Sequence, residues 1–182
     1  MENKNNTFET MVKPVIVLAV IALVCSALLA FTNNVTAPII AENERITTLN
    51  AYMQVLPGVS DPNTLEDVEV TTEGVAACVK TADGQIAVKS TAKGYDGGII
   101  TTILGFDADG NIIGIYADCS TQTAGMGSKC ADASFTGQFV GQSAGANLVL
   151  GQDVDAIGGV TVSSKAFVEA VNAAINCFNE VK

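Results

Sequence analysis

Histidine is absent from this chain of 182 residues. That absence removes serine–histidine and cysteine–histidine nucleophile pairs, imidazole acid–base work and every imidazole metal ligand. Tryptophan is absent too, and aromatic residues make up only 5%. Bases are scarce: nine Lys and Arg face 19 Asp and Glu, for a formal net charge of −10. A chain so acidic lacks the footprint of a nucleic-acid binder, so no nucleic-acid partner is expected. No C-x-x-C pair occurs among the five cysteines. The local spacing of zinc and iron–sulfur sites is therefore missing, and no metal site is expected. No G-x-G-x-x-G unit follows an apolar run, which argues against dinucleotide binding. Repeats and low-complexity tracts are also absent.

What the chain has in quantity is apolar residues, 48% of the total, and they are unevenly spread. No charge falls between Pro14 and Ala41. In Val15–Phe31, 11 of 17 residues are Val, Ile, Leu or Phe. On an insertion scale these favour a bilayer by roughly 3–7 kcal/mol. Extension through Pro14 and Thr32–Val35 reaches the ~20 residues that span a hydrocarbon core. The leading reading is a membrane anchor over residues 14–35. A cleaved signal peptide is the second, since Lys4 and Lys13 precede the run, but the run is long and has no clean A-x-A site. A lipoprotein signal ending at Cys25 is the third, and Val24 is large for the position before a modified cysteine. Lys4 and Lys13 lie before the span, and Arg45 lies after it beside Glu42 and Glu44. By the positive-inside rule this expects residues 1–13 in the cytoplasm and residues 36–182 as one extracytoplasmic domain.

Within residues 36–182 the pattern predicts strands framed by helices, an α+β domain. Pro38–Leu56 reads as a helix that begins at Pro38 and is stopped by Pro57-Gly58. Ser60–Glu73 reads as an acidic loop. Val75–Val79, Ile86–Lys89, Ile99–Phe106 and Ile112–Tyr116 read as strands, separated by turns at Asp83-Gly84 and Asp107–Gly110. The Asp107–Gly110 stretch lacks a full calcium-loop frame and reads as a plain turn. Ser134–Val140 suggests one or two helical turns, and Gly141–Gly151 a loop with a short strand. Ser163–Phe178 carries the clearest amphipathic stripe, through Phe167, Val171, Ala174 and Phe178. Cys78, Cys119, Cys130 and Cys177 read either as small buried hydrophobes or, outside the cytoplasm, as disulfide partners, with Cys119–Cys130 the first pair to test.

The segment with the most chemistry is Asp155-Ala-Ile-Gly-Gly-Val-Thr-Val-Ser-Ser-Lys165. Two glycines and a hydroxyl cluster stand before a helix. Free N–H groups at a helix start favour an anion such as a phosphate. Thr161, Ser163 and Ser164 add hydroxyl donors, and Lys165 adds a positive charge. The plainer reading is an ordinary cap at Ser163 or Ser164.

Asp155-x-x-Gly158-Gly159-Val160-Thr161-Val162-Ser163-Ser164 resembles the D-x-x-S-G-A-T-x-[ST]-S motif of the FMN-binding domain family. That family includes the G subunit of the Rnf ion-translocating electron-transport complex and the C subunit of the sodium-pumping NADH:quinone reductase. Gly94-Tyr95-Asp96-Gly97-Gly98-Ile99 looks like the family's GY-x-G-x-I segment. Gln122-Thr123-Ala124-Gly125-Met126-Gly127 looks like its E-T-P-G-L-G loop. Three segments in order behind an apolar span make the resemblance cover most of the chain. Gly158 stands where Ser or Thr is usual, Val160 where Ala is, and Gln122 where Glu is.

The resemblance implies a covalent FMN, held as a phosphoester of Thr161 that a separate flavin transferase makes. It implies cofactor-binding roles for Gly94, Tyr95, Thr123, Gly125, Met126 and Gly127, and for Gly158, Gly159, Val160, Ser163, Ser164 and Lys165. It implies an electron-relaying subunit of an Rnf-type ferredoxin:NAD oxidoreductase, coupled to sodium or proton movement, with other membrane subunits as partners and no catalysis by the isolated chain. A C-type subunit of the quinone-reducing pump, a stand-alone extracellular electron carrier and a non-redox anchored binding module are the alternatives.

Overall fold

The computed structural model describes residues 11–182; Lys4 and most of the expected cytoplasmic segment 1–13 lie outside the described residues. The chain divides into two units, at Thr47 and Thr48.

The first unit holds most of α1, the helix Lys13–Val55. Every described residue up to Thr47 is exposed. The helix is long and apolar enough to cross a membrane. It runs straight through Pro38, so the expected second helix starting at Pro38 is instead a continuation of the first. Proline removes the helical N–H that would reach the carbonyl of Asn34. Strong helix patterning on both sides nevertheless carries the chain through. The hydroxyls of Thr32 and Thr36 fold back onto the helix carbonyls of Leu28 and Thr32, at 2.9 and 3.0 Å.

The second unit is built on an antiparallel sheet in which each strand pairs with its sequence neighbour. The strands are β1 (Glu66–Val68), β2 (Val75–Lys80), β3 (Ile86–Lys93), β4 (Ile99–Phe106) and β5 (Ile112–Asp118). Strand β1 lies inside the expected acidic loop. It is short, charged and at the sheet edge, where charge is tolerated and apolar alternation is not needed. After β5 come a 3-10 turn Gly127–Ala131, a short helix α2 (Ala133–Thr136) and the long helix α3 (Thr161–Val181). The expected short strand within Gly141–Gly151 is reduced to isolated bridges, Asn111 with Ser143 and Leu150 with Val154.

Both faces of the sheet are covered. Ile86, Val88, Ile100, Leu104 and Phe106 pack under α3 with Phe167, Val171, Ile175 and Phe178. Ala87, Val79 and Ile103 point the other way, onto Ala51, Tyr52, Val55 and Leu56 from the last turns of α1. Strands buried on both sides read as near-continuous apolar runs, which is why Ile99–Phe106 lacks alternation. The end of α1 comes close to the sheet because Gly105 and Gly114 face each other across β4 and β5. A Cβ on Gly114 would lie 2.7 Å from Val55 Cα. Together these elements form the expected α+β domain.

The cysteines are free thiols. Cys119 and Cys130 are both buried, and burial pushes the Cys119 thiol up to about 12. Cys78 hydrogen-bonds Cys177 across the β2–α3 contact, and that bond together with burial raises Cys78 above an ordinary thiol.

Candidate functional site

Helix α3 starts at Thr161, two residues before the expected Ser163. Its flanking residue Val160 offers no side-chain cap. The first backbone bond of the helix runs from Ser164 N–H to Val160 O, at 2.9 Å. Among the described residues the N–H groups of Thr161, Val162 and Ser163 have no acceptor. Ser163 and Ser164 therefore lie inside the first turn and do not cap it, which corrects the plainer reading. Gly159 takes φ +77° just before the helix. A Cβ is disfavoured in that left-handed conformation.

These open donors border a cleft of about 470 Å³. One wall is Gly159, Val160, Thr161, Val162 and Ser163; facing it are Tyr95, Thr123, Met126 and Gly127. All three sequence segments thus meet in one place. Tyr95 sits in a 3-10 turn after β3, with Gly94 N–H bonded to Gly98 O at 2.8 Å. Thr123–Gly127 follows β5, with Met126 N–H bonded to Thr123 O at 3.1 Å. Tyr95 is 60% exposed, Met126 52% and Val162 54%, so these side chains belong to the cleft rim and not to the core.

The hydroxyls differ in what they already hold. Ser163 Oγ donates to Gln122 Oε1 at 2.9 Å and is buried. Ser164 Oγ, also buried, accepts from Ile157 N–H at 3.4 Å and hydrogen-bonds Cys130. The Thr161 hydroxyl is exposed, lines the cleft and has no partner among the described residues. Lys165 is exposed, lies off the cleft wall and makes no ion pair among the described residues. Gly158 is exposed with open space around it. Gly125, at φ +75°, shapes the loop and donates to Ser128 Oγ at 3.0 Å. Gly94 lies off the cleft lining, and a Cβ there would press on the Gln122 side chain. Val160 is 7% exposed and belongs to the core cluster, so its extra bulk over alanine is mostly turned inward.

Sequence reasoning missed Val162 as a lining residue. The available signal was its place in the first helical turn, off the apolar stripe. Gln122 was visible only as a departure from a motif; its buried position between the walls was not.

The family model for the RnfG N-terminal region matches residues 1–55. That for the FMN-binding domain matches residues 94–176, a stretch containing every segment of the cleft. The G subunit of a Na(+)-translocating ferredoxin:NAD(+) oxidoreductase complex from Acetobacterium woodii is 30% identical over 188 residues, which cover 91% of this chain and 90% of that protein. The chain belongs to the RnfG family. Another relative of this RnfG-family chain is the G subunit of an ion-translocating oxidoreductase complex from Shewanella baltica, 29% identical over 191 residues, with 93% of this chain and 90% of that protein covered. The fold is similar to that of the C subunit of the Na(+)-translocating NADH-quinone reductase from Parabacteroides distasonis. That comparison has a TM-score of 0.59 and 17% identity, and covers 78% of this chain and 94% of that one.

The cleft fits FMN on its own chemistry. A phosphate needs donors without competing acceptors, and the first turn of α3 leaves N–H groups open on the helix's positive end. A flavin ring needs an apolar rim, and Tyr95, Met126 and Val162 provide one.

Proposed function

We propose that this RnfG-family chain is the G-type subunit of an ion-translocating ferredoxin:NAD oxidoreductase complex and carries FMN as a phosphoester of Thr161. One observation carries the reading. Of the hydroxyls in the 161–164 segment, Ser163 and Ser164 are spent on Gln122 and on Ile157 and Cys130, whereas Thr161 alone stands exposed on the cleft wall beside open helix amides.

When bound, FMN supplies reversible one- and two-electron chemistry, so the missing histidine costs this function nothing. The chain's own residues do three things. The amides of Thr161, Val162 and Ser163, with the helix dipole behind them, receive the phosphate charge. Tyr95, Met126 and Val162 shield a ring from water. The Thr161 oxygen, once esterified, prevents loss of the cofactor by dissociation. A flavin transferase makes that ester during maturation, and Thr161 is open enough for its approach.

Helix α1 then serves as the membrane anchor, through residues 14–35. Its 43 residues would reach roughly 65 Å, about twice a hydrocarbon core. The bias of Lys4 and Lys13 over Arg45 supports an extracytoplasmic side for the FMN domain. The relatives' names, each that of one subunit of a complex, support other subunits as partners, with sodium- or proton-coupled transport as the joint activity.

The test is co-expression with a flavin transferase, followed by denaturing electrophoresis under ultraviolet light and mass spectrometry of the Thr161 peptide. The parent chain is expected to give a fluorescent band and a peptide carrying FMN less one water; Thr161→Val gives neither. An unmodified Thr161 peptide from the parent chain would falsify the reading.

A further inference from the structure

Behind the cleft walls lies a side chain that no motif role explains. Gln122 is 5% exposed. Its Oε1 accepts two hydrogen bonds, from Tyr95 N–H at 3.1 Å and from Ser163 Oγ at 2.9 Å. Tyr95 lies on one wall of the cleft and Ser163 on the other. The Tyr95 N–H can only donate, so it fixes which end of the amide is oxygen. The Nε2 group is buried with no acceptor among the described residues. Three glycines make room for this amide. A Cβ on Gly94 would lie 2.9 Å from Nε2, one on Gly98 2.6 Å from Nε2, and one on Gly127 2.8 Å from Gln122 Cβ.

We propose that Gln122 is a positioning residue: it holds the two walls of the cleft in register and keeps the space between them uncharged. Other side chains of similar size show what the amide supplies. Methionine or leucine would leave the Tyr95 N–H and the Ser163 hydroxyl without an acceptor. Glutamate would accept both bonds and leave no orphan donor, but would bring a negative charge behind a redox group. Glutamine keeps both bonds at the cost of one orphaned N–H pair, and stays neutral. The bracing half of this role concerns the chain alone; the charge half rests on the FMN reading above.

The experiment uses the detergent-solubilised full chain, with and without attached flavin, as parent, Gln122→Met and Gln122→Glu. Hydrogen exchange of the peptide covering Gly94–Gly98 reads the brace. Gln122→Met is expected to speed exchange there by roughly tenfold, the loss of one hydrogen bond, relative to peptides from the middle of α3. Gln122→Glu restores the protection, because a carboxylate also accepts from Tyr95. The midpoint potential of the attached flavin reads the charge. In Gln122→Glu it falls below the parent's as pH rises through the carboxyl titration, and the gap closes at acid pH. Gln122→Met shows no such step. Unchanged exchange in Gln122→Met overturns the brace. A Gln122→Glu potential that tracks the parent at every pH overturns the charge role. Should Gln122→Met fail to fold, Gln122→Glu still decides, since loss of Gly94–Gly98 protection in that variant also overturns the brace. A parent chain without a flavin adduct would defeat the FMN reading and leave the exchange result standing.

Discussion

Gly98 is held to glycine by contact, whereas its neighbour Gly97 is held by backbone conformation. Gly97 takes φ +75° and a Cβ there would meet nothing within 4 Å, while a Cβ on Gly98 would come 2.7 Å from the carbonyl oxygen of Thr121 as well as pressing on Gln122. A backbone carbonyl cannot step aside as a flexible side chain can. Gly98→Ala is therefore expected to cost about 1–3 kcal/mol, as overpacking does, whereas Gly97→Asn, suited to a left-handed residue, costs well under about 1 kcal/mol. Urea denaturation of both variants checks the contrast. Thr161 is the opposite case. Its hydroxyl holds nothing and caps nothing, so Thr161→Val should abolish flavin attachment while changing stability by no more than about 0.5 kcal/mol. A larger loss of stability on the same denaturation curve would mean that the hydroxyl is structural. At this scale the motif segments pointed to residues that the fold brings to one cleft: Thr161, Tyr95 and Met126 all line it. The sequence marked Gln122 only as a departure from a motif, because the two bonds it accepts come from residues 27 and 41 positions away, and only the closed loop reveals those partners.

The elements were legible wherever hydrophobic pattern decides and hidden wherever pairing decides. Strands β2 to β5 and helix α3 announced themselves by apolar runs or a helical stripe. Edge strand β1 did not, because Glu66 and Asp67 gain their order from the ladder opposite Lys80 and Val79. Helix α3 is fixed to the sheet by more than its apolar stripe: buried Ser90 on β3 donates to Ala170 O at 2.7 Å and shares a 2.8 Å bond with Thr102 on β4. That stitch ties the middle of α3 to the two central strands. The β4–β5 hairpin is closed differently. Asp107 accepts from both the side chain and the backbone N–H of Asn111, at 3.0 and 2.8 Å, and these bonds hold its carboxyl below the usual range. A carboxylate with a depressed folded value stabilises the fold above its unfolded value, and that contribution is lost as pH falls through the folded one. Asp107→Asn is therefore expected to lower the melting temperature at neutral pH and above, and to flatten the acid side of the profile so that parent and variant converge in strong acid. Thermal melts from neutral to strongly acid pH measure this; parallel profiles for parent and variant would remove the hairpin from the account of acid stability.

On the scale of the whole molecule, a single helix belongs to two units, and the pattern of exposure says where one ends. Up to Thr47 every described side chain of α1 is exposed, whereas Ala51, Tyr52, Val55 and Leu56 are between 0 and 4% exposed and cover one face of the sheet. The sequence suggested an apolar span over residues 14–35 and a separate helix starting at Pro38, because proline is a strong local signal, whereas one helix runs from Lys13 to Val55. The burial of Tyr52 and Val55 by Val79, Ala87 and Ile103 is a long-range fact that no local signal carries. The last turns of α1 are thus part of the FMN-binding domain's core. Burying side chains of this size contributes about 1.5–3 kcal/mol each, so Tyr52, Val55 and Leu56 together supply roughly 5–9 kcal/mol, an upper estimate. Domain stability is typically only about 5–15 kcal/mol. A chain of residues 48–182, which keeps these turns and the 3.0 Å bond from Lys89 Nζ to Thr48 Oγ1, should therefore melt cooperatively without detergent. A chain of residues 58–182, which still contains every cleft residue, should lose most of that stability and expose the sheet face around Ile103. Calorimetry of the two truncations decides the point. Equal cooperative transitions would show that the end of α1 only rests on the sheet, and would move the domain boundary past Leu56.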